Sequence, residues 1–174
     1  METALALVIV GTGVLASMSL FATCSNESNI ATRETTARML AENIRETMAN
    51  LAFADPTSGV EKWGPETGES LSSYDDVDDF DGLPVGGKYV GSTFNPPIDA
   101  MRAQIPQLSK YRQIVTVMPV NPNDPSSNSD ESAPTLPKGT YTGAVRVRVR
   151  VQYQGTANGP WNDIYTMSWV RVND

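Results

Sequence analysis

The densest group of chemically capable side chains is the string Tyr74-Asp75-Asp76-Val77-Asp78-Asp79-Phe80-Asp81-Gly82-Leu83, with five carboxylates in seven positions. Like charges this close repel, so something must relieve them. Asp76, Asp78, Asp79 and Asp81 on a short loop would suit a hard cation such as Ca²⁺, which takes several oxygen ligands. The spacing is not that of an EF-hand, because the alternation of acids is interrupted and no glutamate follows at the twelfth place. Two other readings stand beside calcium: a solvated surface turn, and charge pairing with arginines of the same chain or of a neighbour. A further carboxylate, Glu2, sits at the start of a charge-free apolar stretch. There a carboxylate is costly unless it stays at the polar boundary or meets a counter-charge.

Beyond these acids little chemistry is on offer. The 174 residues contain no histidine and a single cysteine, Cys24. That removes the commonest general base and metal ligand, and excludes an intramolecular disulfide, a thiolate zinc site and a redox pair. No catalytic constellation and no cofactor-binding motif stands out, so an enzyme is not expected. Twenty acidic against 13 basic side chains give a net charge of −7, which disfavours nucleic acid as a partner. The one basic row, Arg146, Arg148 and Arg150, has little aromatic interleaving. It reads as a solvated sheet face or as the answer to the acidic string.

The elements that must position these groups begin with a helix. From Thr3 to Asn26 there is no charge, enough apolar length to cross a bilayer. Nothing basic precedes the stretch, and Phe21 and Thr23 do not suit a lipid-attachment site at Cys24, so it reads as a stem helix rather than a signal peptide or a lipid anchor. Gly11 and Gly13 are its weak points, either close-packing positions or places where the helix stretches. Past Cys24 the pattern turns amphipathic: Ile30, Ala37, Leu40, Ile44, Met48 and Leu51 form one apolar stripe, with Glu34, Arg38, Glu42, Arg45 and Glu46 opposite. Asp55-Pro56 is a natural stop. The spacing predicts one helix from about residue 2 to about residue 53.

METALALVIVGTGVLASMSLFA resembles the start of type IV pilins and pseudopilins, whose mature chains open with an aromatic residue, a short apolar run and a glutamate; Glu2 matches that glutamate. ARMLAENIRETMANLAF (Ala37 to Phe53) is similar to the matching stretch of minor pilins. The acidic string looks like a signature of minor pilins of the mannose-sensitive haemagglutinin pilus. The likeness covers about the first 80 residues. Three features of the family pattern are not found in this sequence: the basic leader, the aromatic first residue, and the paired cysteines of the C-terminal loop.

The resemblance implies a structural subunit of an extracellular type IV pilus-like filament. Its partners would be copies of itself or other pilins and the pilus assembly machinery, with the bacterial inner membrane holding it before assembly and the cell surface after. It also implies that Glu2 is the assembly residue, meeting the N-terminal amine of a neighbouring subunit. Two alternatives share the same sequence features: a single-pass membrane-anchored periplasmic binding module and a type II secretion pseudopilin.

Downstream, residues 55–97 read as loop, a turn or two of helix is expected over Ile98–Ile105, and the rest is β. Tyr111–Met118 and Tyr141–Tyr153 read as strands, the second with Val145, Val147, Val149 and Val151 alternating with the arginines. A last strand over Asp163–Val172 closes a hairpin through the Gly155–Pro160 turn, and Lys88–Thr93 adds a weaker fourth. Pro119–Gly139 is a long polar loop of the kind that is functional or irregular. The expected fold is α+β and pilin-like: a long N-terminal α-helix packed on a small antiparallel β-sheet. Residues 1–25 would be the hydrophobic stem, and 26–174 the head, including the amphipathic half of the helix.

Overall fold

The computed structural model describes residues 2–56, 63–84, 90–124, 126–127 and 136–173. Helix α1 runs Glu2–Ala49, followed by strands β1 (Ser92–Phe94), β2 (Tyr111–Pro119), β3 (Ala144–Gln154) and β4 (Trp161–Val172). The strands form one antiparallel sheet in the order β1-β2-β3-β4. The class is α+β. The chain divides into two compact units, residues 1–36 and 37–174.

The first unit is helix throughout its described residues, and its apolar side chains have no protein cover. Leu7 through Phe21 leave their large hydrophobic groups 52–78% exposed. Its hydroxyls turn inward instead: Thr12 donates to Val8 O at 2.9 Å, Ser17 to Gly13 O at 2.9 Å and Thr23 to Ser19 O at 3.0 Å. A hydroxyl bonded to its own helix presents little polarity outward, which suits an apolar surrounding. This helix is long and apolar enough to cross a membrane.

The second unit holds the core. Ala37, Leu40, Ala41, Ile44 and Met48 are fully buried, while Ile30, the first residue of the expected stripe, is exposed in the other unit. The core strip of the helix meets the sheet's valine face: Val145, Val147, Val149 and Val151, with Val115 and Val117 beside them in register. The period-two alternation thus puts the valines inward, and the intervening arginines are half-buried on the other face. The β3–β4 register assigns Tyr165, Met167 and Trp169 to the valine side as well. A bulge between Val151 and Gln152 displaces Ile164 from pairing, as an extra residue in one strand must.

The helix ends four residues before the position expected from Asp55-Pro56. Carbonyls at and just past its C-terminus are taken by β4: the Arg171 guanidinium donates to Met48 O at 2.5 Å and to Leu51 O. A cation at a helix C-terminus satisfies the orphan carbonyls and complements the dipole. Ala52 then leaves the helical path, its N–H donating to Asp75 O at 3.0 Å. The helix expected over Ile98–Ile105 is instead a tight loop. Asp99 Oδ1 accepts the N–H groups of Met101 (2.8 Å) and Ala103 (2.9 Å), and Arg102 sits at φ 65°. An aspartate that captures nearby amides competes directly with helix. A single turn of 3-10 helix follows at Pro106–Leu108.

The fourth strand forms as Ser92–Phe94; Lys88 and Tyr89 of the expected range lie outside the described residues, as do 125 and 128–135 of the Pro119–Gly139 loop. On the helix's exposed face the ion pair is Arg45–Glu42 at 3.4 Å, among the described residues, and Arg38 lies 5.5 Å over the Tyr165 ring.

Candidate functional site

The acidic string is buried. Asp76, Asp78, Asp79 and Asp81 are each at most 1% exposed, which removes the solvated-turn reading. Asp78–Asp81 coil into one turn of 3-10 helix. Gly82 closes it at φ 72°, where a Cβ would stand 2.7 Å from Ser92 Oγ, so glycine is required there. Phe80 anchors the turn in the core, edge-on to Tyr74 at 5.3 Å and to Phe94 at 6.2 Å. Arg102 holds the preceding loop by donating to Tyr74 O (2.7 Å) and Leu71 O (3.1 Å).

The four predicted cation ligands have different partners. Asp81 accepts the Lys138 ammonium on both oxygens at 2.7 Å, Trp63 Nε1 at 2.9 Å and Val117 N at 3.0 Å. Asp78 Oδ2 accepts Gly64 N at 2.8 Å and the Tyr141 hydroxyl at 3.0 Å. Asp76 Oδ1 accepts Asp79 N at 3.1 Å, and Asp79 Oδ2 accepts Asp75 N at 3.0 Å and Asp76 N at 3.3 Å. Asp81 and Asp78 therefore tie residues 63–64 and 138–141 to the sheet. The expected pairing between acids and sheet arginines is replaced, at Asp81, by a lysine 57 positions away.

Three buried oxygens of this set receive no donor: Asp76 Oδ2, Asp78 Oδ1 and Asp79 Oδ1. Glu66 leaves both of its oxygens in the same condition. Burial, then the charges of Asp78 and Asp79, push the Asp76 carboxyl up to about 9, so it holds its proton beside Asp78. Asp79 rises to about 7 through burial, opposed by the Asp76 and Asp75 amides and reinforced by Glu69 and Glu66. Glu66 rises to about 7 by burial and by Glu69 beside it. Burial also pushes Asp81 up, against the opposing pull of Lys138. Tyr74 is raised by burial and by the charges of Asp79 and Glu69.

One carboxylate oxygen from each of Glu66, Glu69 and Asp79 falls within 4.8 Å of the others, and Asp75, Asp76 and Asp79 make a second such group. Chemically, such sets share protons or hold a cation. The Asp76–Asp78 pair is too enclosed to meet a substrate.

Glu66 and Glu69 lie outside the string singled out from sequence. The signal that could have found them is their i,i+3 spacing across Thr67-Gly68 beside the acids. A second unexpected element is Gln113, fully buried between Tyr111 and Val115 on the core side of β2. Its carboxamide accepts Ile98 N at 2.7 Å and donates to Leu40 O at 2.8 Å and Ile98 O at 3.0 Å. It joins helix, loop and sheet at one point.

Glu2 is the first residue of α1 and is exposed. A carboxylate there faces the positive end of the helix dipole. Gly11 and Gly13 both continue the helix, and a Cβ at either would meet nothing within 4 Å. No protein-family model, curated protein or solved structure matches the chain.

Proposed function

We propose that this chain is a structural subunit of a type IV pilus-like filament, held first in a membrane and then in the apolar core of a helical assembly. The observation that carries the reading is the uncovered apolar surface of residues 7–21, 52–78% exposed at every large hydrophobic side chain. Contiguous apolar surface on this scale calls for lipid or for other helices. The inward-bonded hydroxyls and the absence of charge from Thr3 to Asn26 support either surrounding. A helix whose next segment is built into an α+β head, together with the resemblance of its first residues to pilins, favours the filament.

Lipid and a bundle of apolar helices reward such a stem about equally, because the hydrophobic term is similar in both. Specificity then rests on packing and on Glu2. A carboxylate drawn into an apolar bundle needs a counter-charge, and the N-terminal amine of an adjacent subunit is the group of suitable sign and position. The work of the molecule is assembly rather than catalysis.

Glu2→Ala tests this. Losing one partner of a buried charge pair costs about 3–5 kcal/mol, so incorporation into sheared filaments should drop at least tenfold, since each decade needs only about 1.4 kcal/mol. Membrane-held protein should remain, with its head folded. Normal incorporation of the variant would remove Glu2 from the mechanism. A chain that never leaves the membrane, with or without Glu2, would support an anchored binding module instead.

A further inference from the structure

We infer that residues 25–36 form a locally melting neck, a stretch of α1 that opens and closes in water while the core strip from Ala37 to Met48 stays folded.

The composition changes sharply along one helix. Eight of the twelve residues from Ser25 to Thr36 are serine, asparagine, threonine or isoleucine, which are weak helix formers. In the next twelve, Ala37 to Met48, nine are alanine, leucine, methionine, arginine or glutamate, the strong ones. Serine, threonine and asparagine also offer the backbone their own side chains in place of helical bonds. Within the stretch the charges are Glu27, Arg33 and Glu34, and no opposite pair stands three or four positions apart.

Packing does not make up the difference. Residues 25–35 are exposed, Thr36 is half-buried, and burial begins at Ala37. Before residue 25 the helix is apolar, and in lipid or among other helices its backbone has no water to turn to. Residues 25–36 have neither that surrounding nor a core. Three hydroxyls within five positions bond back one turn: Thr32 to Ser28 O at 2.8 Å, Thr35 to Ala31 O at 2.8 Å and Thr36 to Thr32 O at 2.9 Å. Such bonds load carbonyls that already carry the helical ladder, and they favour bending. A polar helix of this length is marginal by itself in water, so this one is carried by propagation from its two ends. Opening it sacrifices no buried side chain among residues 25–35, which places it at the low end of local stability. The neck gives the chain a place to bend and a place to be cut. It follows equally for a stem held in a membrane or in a filament, so it does not rest on the filament reading.

Hydrogen exchange read by mass spectrometry, on the full chain in detergent micelles, tests the neck. Amides of residues 25–36 should be at least about a hundredfold less protected than those of residues 40–48, which exchange only when the core opens. Within α1, trypsin should cut after Arg33 before it cuts after Arg38 or Arg45. The combined variant Ser28→Ala, Asn29→Ala, Thr32→Ala and Thr35→Ala changes exposed positions alone. It should raise protection in the neck roughly tenfold or more and slow cleavage after Arg33 in step, with the melting temperature of the head unchanged. Protection across residues 25–36 equal to that of residues 40–48 would overturn the neck. Unchanged exchange in the combined variant would overturn its cause in the composition.

Discussion

Lys138→Met is the perturbation that most sharply probes the head. Lys138 is 16% exposed in its side chain and Asp81 is 0% exposed, with the ammonium 2.7 Å from both carboxylate oxygens. Methionine keeps most of the apolar stem and deletes the charge. Asp81 would retain Trp63 Nε1 and Val117 N as donors but lose its only ion pair among the described residues. Breaking one side of a buried pair costs about 3–5 kcal/mol, because the remaining charge stays desolvated. A domain of this size then loses roughly 10–15 °C in Tm. Thermal unfolding followed by circular dichroism gives the number, and a double-mutant cycle with Asp81→Asn gives its origin. The double variant should be distinctly less destabilised than the two single losses added together. A fall of under about 2 °C for Lys138→Met, or strict additivity in the cycle, would refute the view that this pair anchors the 3-10 turn.

Three further substitutions test the packing of the head. Gly91 adopts φ 86°, and a Cβ there would lie 2.4 Å from Val115 O and 2.6 Å from Thr116 Cγ2. Gly91→Ala should therefore cost more than the ~1–2 kcal/mol of a left-handed alanine, while Gly143→Ala, at φ 78° with open space around it, should cost only that backbone penalty; chemical denaturation of the pair measures the difference. Gln113→Leu leaves Ile98 N without its acceptor, and losing a buried hydrogen bond this way costs about 1–3 kcal/mol, visible as a lower denaturation midpoint with unchanged slope.

What the chain discloses on reading depends on whether a contact is periodic. Val145 to Val151 alternate with arginines over seven residues, and a pattern that strict can only be one buried face of a strand. Leu40, Ile44 and Met48 mark the helix face for the same reason. Ile30 continues the sequence pattern but not the burial, and it belongs to the first of the two compact units. The acidic string was legible as a place and not as an environment. Five aspartates in seven positions look solvated, yet the groups that bury them, Trp63, Lys138 and Tyr141, come from segments with no periodic link to the string. Gln113 could have been noticed, since it is polar in phase with Tyr111, Val115 and Val117. Glu66 and Glu69 carry a weaker trace, and only the fold brings them to Asp79. The helix ends at Ala49 rather than at about residue 53, and there Arg171, from the far end of the chain, takes Met48 O and, just past the helix, Leu51 O. Proline can forbid a helix, but it does not say where a distant guanidinium will end one.

The central claim, that residues 7–21 end in the apolar core of a helical assembly, is tested most directly by electron microscopy of material sheared from cells that express the chain, with the protein located by labelling of its head. The account predicts label along thin filaments that contain this chain. Label confined to membrane vesicles, with filaments lacking the chain or no filaments at all, would contradict it.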